Sequence, residues 1–250
     1  DKGPAHYADG RPAARHTYWT LQFIDQRDIL GFFGAPALWS KTANSADTVD
    51  AFDPETNDYL PEGTLPDQPG IASYAAGVAK DADGNVYVHS PRGQLFRWNQ
   101  ASNRWSRLGD RGPSRYETPY AIDTRRNRML RLSNKNVGAA VFDLNAEARI
   151  SRIEVTGPAA QAAAGSGQLV YDSAVDVFWF WRRGDSKLYR IDADRFDVTV
   201  AEVTGNVPSN EGAKGGLHYI YGRFTYVPEM KGLVFMRDAD TNMFFIRTAD

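Results

Sequence analysis

The sequence predicts an all-β protein built from about five copies of a four-stranded unit, and three observations support this. Short apolar runs alternate with turns rich in Asp, Asn and Gly, which is the pattern of strands joined as hairpins. No stretch of the chain has a convincing helical period. The copies begin near His16, Ser73, Tyr116, Gly167 and His218. Their spacing of roughly 43–57 residues is that of propeller blades and not of helical repeats. We therefore expect a β-propeller with almost no helix.

The first unit, expected near residues 14–69, shows the pattern best. Its segments are an apolar stretch HTYWTLQFI (16–24), a turn DQRD (25–28), a run ILGFFGA (29–35), TVDAF (48–52), a turn DPETN (53–57) and Tyr59. The polar turns between apolar runs predict antiparallel neighbours, with residues 16–24 beside residues 29–34.

The remaining units follow the same order more loosely, near residues 73–115, 116–160, 165–210 and 215–250. Their clearest apolar runs are VYVHS (86–90), QLFRW (94–98), RMLRLS (128–133), AAVFD (139–143), VFWFW (177–181), KLYRI (187–191), HYIYGRFTYV (218–227), LVFM (233–236) and MFFIR (243–247). Residues 157–166 (GPAAQAAAGS) predict a flexible or briefly helical connector. We expect residues 1–250 to form a single domain, with residues 1–13 as a linker.

The fifth unit ends after its third strand, because only Thr248, Ala249 and Asp250 follow. One interpretation is a five-bladed propeller with an incomplete last blade. The other is part of a six- or seven-bladed propeller. In either case we expect residues near the N-terminus, a missing segment or a partner chain to complete the last blade, because an open sheet edge invites pairing.

Composition narrows the function classes. A net charge of −2 gives no basic field to favour nucleic acid or an anionic membrane. No apolar stretch approaches the ~20 residues of a membrane helix. The absence of cysteine excludes disulfides, cysteine nucleophiles and thiolate metal sites. The compartment stays open, with the periplasm or the extracellular space favoured.

Part of the first unit resembles a kelch repeat. Phe52-Asp53-Pro54-Glu55-Thr56 with Tyr59 is similar to the aromatic-Asp-Pro-x-Thr turn and later aromatic residue of that family, whereas Phe33-Gly34-Ala35 replaces its usual double glycine. The chain thus resembles kelch-like β-propellers of the bacterial type. That family includes protein-binding adaptors, galactose-oxidase-like enzymes and sugar-modifying proteins. The copper oxidase of that kind is disfavoured because its cross-linked cysteine has no counterpart here, and we expect no cofactor.

The order of strands in a propeller predicts where a site lies. Loops that enter the first strand or leave the second strand of each blade share one face, which we call the rim. Residues expected to bind ligand there are Arg15, Trp39, His89, Arg115, Tyr116, Glu117, Tyr219 and Arg223. Residues expected to serve as acid or base, if the rim is catalytic, are His16, Tyr18, His218 and Tyr221.

Three interpretations of the rim stay open. The first is binding of a carbohydrate or another small ligand, because Trp and Tyr offer flat faces and Arg holds carboxylates. The second is a carbohydrate-active enzyme such as a polysaccharide lyase, in which His and Tyr transfer protons. The third is a protein–protein scaffold. Structural roles compete with all three, because kelch repeats often carry Arg and His before the first strand, and His89 is equally a candidate for the core.

Metal binding is a weak alternative. The turns DADGN (81–85) and DADTN (238–242) resemble the start of a calcium loop but lack the downstream glutamate. Both segments stand where hairpin turns are required. We therefore expect no metal.

Overall fold

The protein is an all-β, five-bladed propeller. The computed structural model describes residues 5–13, 15, 17–33, 47–70, 77–90, 92–109, 112, 118–133, 137–145, 148–205, 207–209, 220–237 and 240–249. These residues form five antiparallel sheets, one in each predicted blade interval. The chain divides into two compact units, Asp1–Tyr116 and Glu117–Asp250. That the two units form one domain stays a prediction.

The first unit contains blades 1 and 2. Blade 1 consists of β1 (Leu21–Ile24), β2 (Ile29–Phe32), β3 (Ala51–Asp53) and β4 (Asp58–Tyr59). Blade 2 consists of β5 (Gly77–Lys80), β6 (Val86–His89), β7 (Leu95–Asn99) and β8 (Arg104–Leu108). In both blades each strand pairs antiparallel with the next strand in sequence.

The second unit contains blades 3, 4 and 5. Blade 3 consists of β9 (Tyr120–Asp123), β10 (Arg128–Arg131), β11 (Ala140–Asp143) and β12 (Arg149–Arg152). Blade 4 consists of β13 (Gly167–Asp172), β14 (Val177–Arg182), β15 (Leu188–Asp192) and β16 (Val198–Val200). Blade 5 has three strands among the described residues, β17 (Phe224–Val227), β18 (Gly232–Phe235) and β19 (Phe244–Arg247). The described helices are short 3-10 segments, Ala160–Ala164 and Pro228–Met230.

Asp and Asn set the hairpin turns that the sequence predicted. A carboxylate at the first position accepts hydrogen bonds from backbone N–H groups two and three residues later, as Asp123 does from Arg125 and Arg126. The last turn residue adopts a positive φ, which Asn and Asp tolerate better than most residues. Residues of this kind are Asp28 (φ 52°), Asn57 (56°), Asn103 (55°), Asn127 (48°) and Asp176 (57°).

The core of the first unit lies between blades 1 and 2. Ile24 and Phe33 of blade 1 pack with Val88 and Trp98 of blade 2. The ring centroids of Phe33 and Trp98 lie 5.2 Å apart. Because alternate residues of a strand face opposite sides of its sheet, each blade contributes one face to this core.

In the second unit a single strand supplies two cores. Phe178 and Phe180 of β14 pack in a cluster with blade 3, whereas Trp179 and Trp181 pack in a cluster with blade 5. The strand is buried along Val177–Trp181. This confirms that VFWFW lies in the interior of its blade, with its aromatic residues filling the space between sheets.

Two first strands are shorter than expected. We predicted apolar stretches at 16–24 and 218–227, but β1 begins at Leu21 and β17 at Phe224. The reason is a turn before each strand, in which Tyr18 and Tyr221 have positive φ values that no strand accommodates.

The described part of residues 1–13 also makes specific contacts. His6 forms an isolated antiparallel β-bridge with Pro12, and the side chain of Ala13 is buried.

No helix among the described residues is long and apolar enough to cross a membrane.

Candidate functional site

Each complete blade has two distinct ends. We call the end at which its first strand begins the upper end. The second strand ends there, the third begins there and the fourth ends there, as Gly167, Arg182, Leu188 and Val200 do in blade 4. The opposite end, which carries the turn between the first and second strands, is the lower end. The predicted rim corresponds to the upper ends, which we describe separately in each unit.

The turns before β1 and β17 are equivalent. In blade 1 the N–H of Thr20 donates to the carbonyl of Thr17, and in blade 5 the N–H of Arg223 donates to the carbonyl of Ile220. Both turns then pair with the end of the second strand, since Phe33 donates to Thr20 and Met236 donates to Arg223. Tyr18 and Tyr221 therefore hold the same turn position.

Both tyrosines adopt a left-handed backbone, with φ of 34° for Tyr18 and 28° for Tyr221. A bulky residue in this region costs free energy, and such residues cluster at functional sites. Both residues are partly exposed. The sequence could not indicate this strain, because neither turn contains the Asn or Asp that usually adopts a positive φ.

Arg15 lies at the upper end of blade 1 and is held by its neighbours. Its guanidinium donates to the carbonyl and hydroxyl oxygens of Thr48, at 2.8 Å each, and forms an ion pair with Asp50. Its side chain is buried. Burial lowers the pKa of Arg15, and the Asp50 carboxylate partly opposes that shift. These contacts match the structural role that we considered for this arginine.

His6 joins the same cluster, which sequence reasoning missed. Its Nε2 lies 2.7 Å from Asp50 Oδ1, and its Nδ1 lies 3.5 Å from Glu62 Oε1. The imidazole is mostly buried, whereas Glu62 is exposed. No repeat position marked His6, because it lies in the segment that we took for a linker.

His89 and Arg223 have surroundings that limit direct ligand contact. His89 is the last residue of β6, at the upper end of blade 2, and is fully buried. Arg223 donates to the backbone carbonyls of Ile220 and Arg237, which ties the turn before β17 to the segment after β18. Burial of His89 favours the core role that we kept open.

A cavity of about 380 Å³ lies at the upper end of blade 4. It is bordered by the turn that follows β14 and by the segment that follows β16. The lining residues are Ser186, Lys187, Leu188, Val200, Ala201, Val203, Gly205 and Val207. Most of these residues are apolar, Ser186 and Lys187 are polar, and the volume lies within the size range of small-ligand sites.

The remaining predicted site residues lie outside the described residues. These are His16, Trp39, Arg115, Tyr116, Glu117, His218 and Tyr219. Their assignment to the rim stays a prediction. Among the residues that the structure describes, no three His, Cys, Asp or Glu side chains are grouped to hold a metal ion.

Solved structures resemble this chain at low sequence identity. An auxiliary nutrient binding protein from Bacteroides ovatus ATCC 8483 is 12% identical over 99% of this chain, with a TM-score of 0.58. A chain from the Mitotic Checkpoint Complex is 12% identical over 92% of this chain and 74% of its own length, with a TM-score of 0.51. Virginiamycin B lyase from Staphylococcus aureus is 13% identical over 92% of this chain and 69% of its own length, with a TM-score of 0.48.

The similarities to the first two of these structures show only that the fold is shared. This chain spans 61% of the length of the Bacteroides ovatus protein. No protein-family model and no curated protein sequence matches the chain.

Proposed function

We propose that this chain is a ligand-binding propeller and that its ligand is a carbohydrate bound at the upper ends of the blades. The observation that carries the proposal is the pair of partly exposed tyrosines, Tyr18 and Tyr221, at the same strained turn position. The presence of a bulky aromatic residue where Gly or Asn would relieve strain favours a role for the ring. A tyrosine ring packs on a sugar face while its hydroxyl bonds to water or ligand.

The upper end of blade 4 supports the same location. The cavity beside Lys187 and Val203 has the volume of a small-ligand site. Loops on a rigid scaffold are where recognition residues accumulate. We propose that residues outside the described part, His16, Trp39, Arg115, Tyr116, Glu117, His218 and Tyr219, add contacts at this rim.

The named functions of the similar structures agree with a binding module. The Bacteroides ovatus protein is named for nutrient binding, and the checkpoint complex is a protein assembly. Protein binding is therefore the first alternative for this chain. We favour a small ligand because tyrosines and a cavity at the upper ends suit it better than a broad flat interface.

The second alternative is a lyase, and His6 is the observation that favours it. A carboxylate that accepts a hydrogen bond from an imidazole orients the ring for proton transfer, as Asp50 does for His6. Against this alternative, Arg15 shares the same carboxylate and the imidazole is mostly covered.

We also propose that the blades are of the kelch type. In the DPETN turn, the Asp53 carboxylate accepts hydrogen bonds from the N–H groups of Glu55 and Thr56, at 2.8 and 3.4 Å. Phe52 and Tyr59 face each other across β3 and β4, with rings 5.4 Å apart. These contacts give a physical reason for the motif residues that the family repeats.

A glycan array with a parallel assay for unsaturated uronate separates the alternatives. The proposal predicts binding to a subset of glycans and no rise in the ultraviolet absorbance of uronate polysaccharides. Absence of any bound glycan would count against a carbohydrate ligand. A rise in absorbance would indicate that the chain is a lyase and not a binding module.

A further inference from the structure

The cavity at the upper end of blade 4 shares its walls with the core between blades 4 and 5. Four residues line the cavity and also belong to the hydrophobic cluster of these two blades: Leu188, Ala201, Val203 and Val207. Leu188 is buried, whereas Val200, which also lines the cavity, is 48% exposed. The cavity thus offers a ligand an aliphatic surface that continues from the core to the solvent.

This lining decides which part of a carbohydrate can enter the cavity. Sugar rings pack on aromatic faces, but none of the eight described residues that line the cavity is aromatic. Aliphatic side chains also offer no hydrogen-bond partner to ring hydroxyl groups, and burying an unpaired hydroxyl costs free energy. The part of a carbohydrate that fits is therefore an aliphatic substituent, such as the alkyl chain of an acyl group.

Lys187 suits the carbonyl oxygen of such an acyl group. It lines the cavity and is exposed, and its ammonium group only donates hydrogen bonds. The neighbouring Asp185 carboxylate accepts hydrogen bonds from the Tyr189 hydroxyl and from the backbone N–H of Lys187, at 2.6 and 3.1 Å. These contacts hold Asp185 within its own turn. An ester or amide carbonyl at the cavity can then accept a charge-assisted hydrogen bond from Lys187.

The turn that carries Tyr221 lies beside the same end of blade 4. Ile220, which precedes Tyr221, belongs to the hydrophobic cluster that contains Leu188. The N–H of Gly222, which follows Tyr221, donates to the side-chain oxygen of Gln168 on β13, at 3.2 Å. Residues on both sides of Tyr221 thus join its turn to blade 4. A sugar packed on Tyr221 can therefore direct a substituent toward the cavity.

From these contacts we propose that the carbohydrate is acylated. Its ring packs on Tyr221, its acyl chain enters the cavity of blade 4, and Lys187 donates to the acyl carbonyl. This inference rests on the proposed function, because it specifies the ligand of the same rim. A simple aliphatic ester carries the same acyl group without a sugar, so the test includes one.

Calorimetric titration with acyl glucosides tests the assignment. The probes are the acetyl, propanoyl and butanoyl esters of methyl glucoside at its primary hydroxyl, with methyl glucoside and methyl butanoate as references. Affinity should rise about fourfold for each added methylene, the gain expected from burying one such group. Each reference should bind at least about tenfold more weakly than the butanoyl ester.

Three variants locate the acyl group. Ala201→Leu fills part of the cavity and should remove the dependence on chain length. Thr204→Leu is the matched control, because Thr204 is exposed in the same segment and is not among the described lining residues, and it should keep that dependence. Lys187→Met should weaken the binding of every ester about tenfold, with methyl glucoside unaffected. Circular dichroism should be unchanged in all three.

Two results would reject the acyl group as part of the ligand. Esters that bind no more tightly than methyl glucoside overturn the inference, and the proposed function falls with it only if no glycan on the array binds. Methyl butanoate that binds as tightly as the butanoyl ester overturns it as well, because the site would then take an aliphatic ester without a sugar. A dependence on chain length that survives Ala201→Leu would rule out the cavity of blade 4 as its cause.

Discussion

At the scale of single residues, charged side chains join the lower ends of blades 3 and 4. The Arg126 guanidinium donates two hydrogen bonds to Asp176, at 2.8 and 2.7 Å, and also contacts Asp123 and Asp194. The Tyr171 hydroxyl donates to the same Asp176 carboxylate at 2.6 Å. The Arg126 hydrogen bonds hold the pKa of Asp176 well below its usual range. Burial, and then the bond to Asp176, raise the pKa of Tyr171.

Replacing Asp176 by Asn should lower the free energy of unfolding by about 1–3 kcal/mol, because it removes the charge from a bidentate, partly buried pair. Chemical denaturation at neutral pH measures the loss. Asp194→Asn is the control, since Asp194 binds the same arginine but is 65% exposed, and it should cost less than about 1 kcal/mol. Equal losses in the two variants would contradict the importance of the Asp176 pair.

The same carboxylate predicts a pH dependence of stability. The pKa of Asp176 is lower in the folded protein than in the unfolded chain. The ionised carboxylate therefore makes its full contribution to the free energy of unfolding above the unfolded pKa of about 3.9. The contribution is lost as the pH falls toward the folded pKa. The gap in unfolding free energy between the wild type and Asp176→Asn should therefore narrow as the pH falls below about 4. A gap that is constant between neutral pH and pH 3 would refute this assignment.

At the scale of elements, β14 organises the second unit. Its alternating aromatic residues reach two separate cores. The ring centroid of Trp181 lies 5.2 Å from that of Phe235 and 6.2 Å from that of Phe224. The sequence predicted this strand well, because five consecutive apolar residues between turns indicate a strand buried on both faces. It predicted the beginnings of β1 and β17 poorly, because the apolar residues of each turn continue the strand pattern while the backbone reverses.

Trp181→Ala should destabilise the protein by about 3–5 kcal/mol, since it leaves a large cavity in the core shared by blades 4 and 5. Thermal and denaturant unfolding measure the effect. Phe23→Ala removes an exposed aromatic side chain and should cost less than about 1 kcal/mol. A small effect of Trp181→Ala would mean that this core does not join the blades as described.

At the scale of the whole molecule, repeat spacing was enough to predict the propeller. Turn chemistry supported it, since the residues with positive φ at the ends of the hairpins are largely the predicted Asp and Asn. The candidate site was less predictable. Repeat position indicated Tyr18 and Tyr221, but the strain at both is a backbone property, and the contact of His6 with Asp50 joins residues 44 positions apart. No local pattern reports such a contact.

A binding titration with the glycan selected on the array tests the central claim that ligand binds at the upper ends. Tyr18→Asn and Tyr221→Asn remove the rings while supplying a residue that tolerates a positive φ. Each should weaken binding about threefold to tenfold, the value of one aromatic contact. Met230→Asn, an exposed change at the lower end of blade 5, should bind like the wild type. Unchanged affinity in both tyrosine variants, or a loss confined to Met230→Asn, would contradict the account.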